Sequence, residues 1–158
     1  MATLTVTHTE TLTLDNRDRS ASKSFTLDVD NLYERTLSVT NSAVTIAVFK
    51  NDEDDAAGAI DLQEAKYIRI TNADTADILL LTFGIDASED NTGADEHFGV
   101  GVAPGESFVL GTPHNFAAAS NEADSNPINL HDIVTILAQN ATDNTSLKIE
   151  IYVAGKES

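Results

Sequence analysis

The chain has 158 residues and a formal net charge of −17, from 26 acidic against 9 basic side chains. Such a field repels phosphate backbones and argues against nucleic acid as a partner. The absence of cysteine excludes a disulfide framework, a thiolate metal site and a cysteine nucleophile. The length fits one domain, and we expect neither a signal peptide nor a membrane span, since no apolar run is long enough.

The first fourteen residues alternate threonine with other residues, which predicts a β-strand. One face would carry hydroxyls, and the other would be apolar at its ends. We predict either an exposed edge strand or an arm that adds to a neighbouring subunit's sheet through main-chain hydrogen bonds. The residues of this candidate contact are Thr3, Thr5, Thr7, Thr9, Thr11 and Thr13.

Three strands are predicted between residues 24 and 50. Residues 15–24 are polar and predict a loop, and residues 24–29 alternate with Phe25, Leu27 and Val29 on one face. Residues 32–40 and 43–50 then alternate on either side of a short polar turn, which predicts a β-hairpin. The buried face of its second strand is expected to hold Val44, Ile46 and Val48.

The best-patterned part of the chain runs from residue 67 to residue 110. Ile68 and Ile70 share a face of the first strand, and residues 78–85 are apolar on both faces, which predicts a central strand. The next strand alternates Phe98, Val100 and Val102 with Gly99 and Gly101. Glycine there would allow a bulge or the close approach of another backbone.

Two acidic loops, residues 51–58 and 86–96, interrupt these strands. Calcium needs six to eight oxygens, usually at alternating loop positions with a turn glycine. Asp52, Asp54 and Gly58 supply only part of that pattern. Solvated loops are therefore the preferred interpretation, no cofactor is predicted, and cation binding by either loop stays open.

The last third of the chain contains an irregular excursion and two strands. Residues 111–130 are rich in Asn, Ser, Ala and Pro, and long loops of this kind are often functional. Residues 131–138 fit both a helical stripe and a strand, and their β-branched side chains favour the strand. Residues 147–153 alternate cleanly, and residues 155–158 form a polar tail.

These elements define the predicted fold class. Nine or ten short strands without a long helix indicate an all-β protein, an antiparallel β-sandwich with jelly-roll or similar Greek-key topology. We predict a single domain over residues 1–158, with residues 1–14 as its arm or edge strand.

The sequence carries no pattern typical of an enzyme. Ser107 lacks the glycine-flanked turn of a hydrolase nucleophile, and the many carboxylates form no specific pair. His97 and Glu106 are nine residues apart, and the second histidine of a His-pair metal site is missing. We therefore predict neither catalytic nor metal-ligating residues.

A carbohydrate- or host-surface-binding sandwich is one functional hypothesis. Sugar platforms need exposed aromatic faces, and the chain has no Trp. Its only candidates are Tyr33, Tyr67 and Tyr152.

Three segments carry a resemblance to a known family. Ile-Thr-Asn72, the strand Ile78-Leu-Leu-Leu-Thr-Phe-Gly-Ile85, and Val102-Ala-Pro-Gly-Glu-Ser-Phe-Val-Leu110 resemble segments of small β-sandwich virion proteins of tailed bacteriophages. The similarity covers about a third of the chain. It is greatest to capsid decoration, or cement, proteins.

The resemblance implies a structural function. Such a protein would bind the outer capsid surface of a virion and stabilise the shell by bridging copies of the major capsid protein. The same resemblance implies a homo-oligomer, with a trimer favoured, and no nucleic-acid or membrane partner. We expect the Thr-rich segment to make the contact by strand addition.

Overall fold

A computed structural model describes residues 2–51, 58–86, 94, 96–118, 130–142 and 145–157. The regular structure in these residues is entirely β, which confirms the all-β fold class. Within them, no helix has the length and apolarity needed to cross a membrane.

The strands begin and end as follows. In chain order they are β1 (Ala2–Glu10), β2 (Thr13–Leu14), β3 (Arg17–Asp18), β4 (Ala21–Val29), β5 (Asn31–Val39), β6 (Val44–Lys50), β7 (Ile60–Asp61), β8 (Ala65–Asn72), β9 (Leu79–Asp86), β10 (Glu96–Val102), β11 (Ser107–Leu110), β12 (Ala117–Ala118), β13 (Leu130–Asn140) and β14 (Leu147–Gly155). They exceed the nine or ten expected because β2, β3, β7 and β12 are two residues long, too short to show alternation.

Two sheets contain most of the strands. One has the order β10-β9-β13-β6-β7, with β12 also paired to β13, and the other has the order β11-β8-β14-β5. The strand pairs are antiparallel, except that β6 and β7 are parallel. Both sheets contribute to one hydrophobic core, an arrangement consistent with the predicted β-sandwich.

Aromatic and aliphatic side chains connect the two sheets. Phe83 of β9 stacks on Phe98 at a centroid distance of 4.8 Å and meets Phe108, on the opposite sheet, at 5.3 Å. Ile68 and Ile70 are fully buried on one face of β8, as the alternation predicted. Burial of each such side chain contributes about 1.5 to 3 kcal/mol, so this core supplies the main driving force for folding.

The expected hairpin over residues 32–50 is wrong. β5 pairs with β14 along nine residues, whereas β6 pairs with β13 in the opposite sheet. The polar turn at residues 41–42 therefore carries the chain from one sheet to the other. Alternation shows that each strand buries one face, but it does not show which strand lies beside it.

A register shift in β6 also changes which of its side chains are buried. Ala47 lies opposite Ile136 and Thr45 opposite Leu137, so Ile46 is an additional residue in β6. Such a bulge interrupts strict alternation. Ile46, Ala47 and Phe49 are consequently buried, and the expected face of Val44, Ile46 and Val48 does not form, because Val44 is 43% exposed and Val48 only half-buried.

The glycines of β10 are not sites of close approach. A Cβ added to Gly99 would meet no atom nearer than 3.5 Å, and one added to Gly101 none nearer than 3.7 Å. The tight position is Gly84 in β9, where a Cβ would overlap the Thr135 hydroxyl and lie 2.6 Å from the Ala94 Cβ. β9 is central, between β10 and β13, as predicted.

The excursion is partly paired to the sandwich. Residues 131–138 lie in strand β13, as preferred over the helix. The Ile133 amide donates to the Pro113 carbonyl at 3.0 Å, and β12 pairs with the start of β13. Residues 119–129, 52–57 and 87–93 lie outside the described residues, so cation binding by the acidic loops remains a hypothesis.

Candidate interaction surface

β1 to β4 form one long hairpin, here named the N-terminal arm (residues 2–29). β1 pairs with β4 over nine residue pairs, and β2 pairs with β3 at the tip. The chain reverses at Asp15 and Asn16, whose φ angles are +52° and +59°. Asp and Asn tolerate this conformation, which matches the twist of a two-residue hairpin turn. β1 confirms the strand expected in the Thr-rich segment over residues 2–10, although the pairing stops at residues 11 and 12. The loop expected over residues 15–24 is wrong, because β3 and the start of β4 lie within it.

Hydroxyl groups line one face of the arm. Thr7 Oγ1 lies 2.8 Å from Ser24 Oγ, and Thr9 Oγ1 lies 3.1 Å from Ser22 Oγ. Thr3 and Thr5 continue this face along β1. Thr11 lies between β1 and β2 and Thr13 lies in β2, so the structure places four of the six candidate threonines on one strand face.

The opposite face anchors the base of the arm. Leu4, Val6, Leu27 and Val29 pack against the four-stranded sheet, on the side facing away from the core, at Tyr67, Tyr152 and Ala154. The Tyr67 and Tyr152 rings meet edge to face at 6.2 Å, and the Arg69 guanidinium lies 5.4 Å from the centre of the Tyr152 ring. This cluster fixes where the arm leaves the sandwich.

Beyond its base the arm is solvated on both faces. Every residue from Thr7 to Thr26 is exposed, including Leu12, Leu14 and Phe25 at about half of their full surface (51%, 54% and 48%). At about 3.3 Å per residue, the exposed extended segment from residue 7 to residue 14 spans about 25 Å. Because an isolated two-stranded hairpin is marginally stable in water, and exposed apolar patches mark interaction sites, this segment is the best candidate for a contact surface.

Local hydrogen bonds nevertheless order the tip. The Ser20 side chain and amide donate to the Asp18 carboxylate, the amide at 2.8 Å, and these bonds lower the pKa of Asp18 below its ordinary value of 3.8. The Leu12 amide donates to Ser20 Oγ, and the Arg19 amide donates to the Leu12 carbonyl. These hydrogen bonds therefore fix the backbone conformation of the tip and the directions of its side chains.

Charge divides unevenly between the arm and the rest of the chain. The arm has three of the nine basic residues but only four of the 26 acidic residues. Its bases, Arg17, Arg19 and Lys23, all lie in the exposed part. The remainder of the chain thus carries nearly the whole net charge of −17, and the arm tip is its most basic segment.

A groove of about 570 Å³ lies beside the base of the arm. It lies between β5, the last strand of the four-stranded sheet, and β7, the last strand of the other sheet. Asp61, Glu64 and Glu157 are among its lining residues, and Leu32 and Ile60 add apolar surface. None of the described residues that line it is basic. We call it the acidic groove.

The histidines and Ser107 were considered in the sequence as metal ligands or a nucleophile. No group of three or more His, Asp or Glu side chains there could hold a metal ion. His114 Nδ1 lies 2.9 Å from Asp132 Oδ1, beside the buried His131 in a small cleft. Ser107 Oγ contacts Thr71 Oγ1 at 2.8 Å rather than a general base.

The tyrosines considered as sugar platforms do not form one. Tyr67 is only 7% exposed, because the arm covers it, so its predicted role as an exposed platform is wrong. Tyr33 is half-buried, with its hydroxyl directed at the Ile46 carbonyl at 3.3 Å and Arg35 against its ring. Tyr152 is half-buried beneath the arm.

The segments that carry the phage resemblance meet around Asn72. This side chain is fully buried and donates to the Val102 carbonyl at 3.0 Å and the Asp77 carbonyl at 2.8 Å. Its backbone amide donates to Glu106, and its carbonyl accepts from Gly105. Asn72 at the end of β8 therefore connects these segments through hydrogen bonds, which is a structural role. The asparagine that ends the β8 pattern was the sequence signal for it.

Comparisons with known proteins leave the family open. No family model and no curated protein matches the chain. Among solved structures, a protein from the disulfide-linked pili of Bacillus endospore appendages is similar with a TM-score of 0.41 and 12% identity, over 81% of this chain and 87% of that one. A TM-score of this size does not establish a shared fold, and the identity is too low to transfer a function.

Proposed function

We propose that this chain is a structural virion protein that binds the outer surface of a phage capsid and stabilises the shell by bridging copies of the major capsid protein. The observation that carries the proposal is the N-terminal arm, whose twenty residues from 7 to 26 are all exposed. A segment of this length that is ordered but barely packed suits a protein that completes its contacts in an assembly.

The fold supports the same proposal. The strand orders β11-β8-β14-β5 and β10-β9-β13-β6 support the jelly-roll topology that we propose. The sandwich would act as a rigid support, with the arm presenting the hydroxyl face of Thr3, Thr5, Thr7 and Thr9. Strand addition at a free edge of the arm would supply main-chain hydrogen bonds.

Many weak contacts are sufficient for this function. A decoration protein acts in many copies on one shell, and tethering turns each additional contact into an intramolecular one. Modest energy per arm therefore produces a large effect on the whole particle.

The experiment is cosedimentation of the purified chain with mature capsids of its own phage, stripped of bound protein, followed by heating of the particles. We expect binding, and capsids that open at a higher temperature when the chain is bound. Thr5→Glu/Thr7→Glu on the hydroxyl face should weaken binding at least tenfold. The matched variant Thr36→Glu/Ser38→Glu adds the same charge on the exposed face of β5 and should bind normally. A folded wild-type chain that never binds these capsids would end the proposal.

A further inference from the structure

We propose that the tip of the N-terminal arm of one copy docks in the acidic groove of a second copy, giving a head-to-tail contact between copies. This inference deepens the homo-oligomer expected under the proposed function. It is tested on the purified chain alone, without capsids.

The charges of the two surfaces are complementary. The arm tip and the strand after it carry Arg17, Arg19 and Lys23, a third of all basic residues of the chain. The groove carries Asp61, Glu64 and Glu157, and its described lining includes no basic residue. In a molecule with net charge −17, two copies otherwise repel each other, so the basic tip is the segment that an acidic body attracts.

The apolar surfaces are complementary as well. Leu12 and Leu14, both more than half exposed, lie at the tip beside the arginines. Leu32, 56% exposed, and Ile60 lie in the groove. Docking would remove these side chains from water, at about 25 cal/mol for each Å² of apolar surface. Charge would select the orientation, and apolar burial would hold the contact.

The backbone of the groove also suits an added segment. Among the described strands, β5 pairs only with β14 and β7 pairs only with β6, and residues of both strands line the groove. Edge strands accept a further strand through main-chain hydrogen bonds. A hairpin closed by a two-residue turn presents an already formed strand to such an edge.

The arm of the same copy is held away from its own groove. Leu4, Val6 and Leu27 fix its base on the outer side of the four-stranded sheet, and Lys156 Nζ lies 3.5 Å from Asp28 Oδ2. The occupant we commit to is therefore a second copy. Because the tip and the groove are different surfaces, the contact is heterologous, and it closes into a ring or extends as a chain.

The test measures the mass of the purified full-length chain by sedimentation velocity over a range of concentrations. We expect the wild type to associate, and to do so more weakly as NaCl rises from about 0.05 M to about 1 M, where the Debye length falls to about 3 Å. Arg17→Ser/Arg19→Ser and Glu64→Gln/Glu157→Gln should each weaken association at least tenfold.

Mixing these two variants distinguishes the proposed contact from other modes. The arm variant keeps an intact groove and the groove variant keeps an intact arm, so the mixture should form one-to-one dimers and nothing larger. The controls Lys66→Ser/Lys148→Ser and Glu106→Gln/Glu150→Gln make the same changes in net charge on other exposed residues and should associate like the wild type.

Three results would overturn the inference: a wild type that stays monomeric, an arm variant that associates like its control, or a mixture that behaves as two separate monomers. If the wild type is monomeric and binds capsids through the arm, the occupant of the arm is the capsid. The proposed function then survives without this contact. If the wild type associates as expected but never binds capsids, only the capsid proposal fails.

Discussion

Asn72 shows how one buried polar side chain joins segments that are distant in the sequence. Its amide nitrogen bonds to Asp77 and Val102, and its carbonyl oxygen accepts from the Asp74 amide at 3.1 Å. The Ala76 and Asp77 amides in turn donate to the Asp74 carboxylate and lower its pKa below 3.8. The turn between β8 and β9 is therefore built from side chains that replace missing backbone partners.

Replacing Asn72 by Ala should destabilise the protein by about 2 to 4 kcal/mol, because two carbonyls would lose their donor in a buried place. The melting temperature should fall by about 5 to 12 °C. Thermal unfolding followed by circular dichroism measures this, with the exposed Asn41→Ala as the matched control. Equal melting temperatures for the two variants would show that the network contributes little.

At the residue scale, alternation predicted burial well wherever the ladder is regular. Ile68 and Ile70 point into the core as expected because β8 runs without a shift from Ile68 to Asn72. Val44 and Val48 do not, because one additional residue at Ile46 interrupts the alternation. The bulge forms in the pairing with β13, and the sequence of β6 alone does not contain that partner.

The N-terminal arm is the element with the least uniform environment. Its base belongs to a small hydrophobic cluster, whereas the pairs from Thr7↔Ser24 to Glu10↔Ala21 are exposed at every residue. Local stability follows buried contacts, so a hairpin supported at one end should open from its tip.

Hydrogen exchange should reveal this gradient. In dilute wild-type protein, where copies are separate, amides of the pairs beyond Val6 should exchange at least tenfold faster than those of the Leu4↔Leu27 pair. Amides of the buried β9–β13 ladder serve as the internal reference for global opening. Uniform protection along the whole arm would contradict the gradient and would imply a tertiary contact beyond the base.

At the element scale, strand positions could be predicted far better than strand partners. The strands over residues 131–138 and 147–153 were found from β-branched alternation, and they form the centres of the two sheets. The arm was divided wrongly between a strand and a loop, because its polar residues from 15 to 24 resemble a loop. Asp15-Asn16, a residue pair that accepts positive φ, was the available signal for a tight turn.

At the scale of the whole molecule, the amino-acid composition sets the net charge. A net charge of −17 in 158 residues means that folding brings like charges together, which opposes the compact state. The acidic residues are concentrated outside the arm, so this repulsion acts mainly within the sandwich and its loops.

Added salt should therefore stabilise the folded chain. Between about 0.02 M and 0.5 M NaCl, screening shortens the range of the repulsion, and the melting temperature should rise by several degrees. Glu106→Gln/Glu150→Gln removes two exposed carboxylates and should raise the melting temperature at low salt while reducing the salt effect. A melting temperature that falls with salt would mean that attractive ion pairs outweigh the repulsion.

The covering of Tyr67 and Tyr152 by the base of the arm has a spectroscopic consequence. The chain has no tryptophan and only three tyrosines, and two of these three lie under Leu4, Val6 and Leu27. Most of the intrinsic ultraviolet emission of the protein therefore originates at the joint between arm and sandwich. Tyrosine fluorescence should therefore report, without any label, whether the base of the arm is packed on the sandwich. The signal should change when a partner displaces the arm.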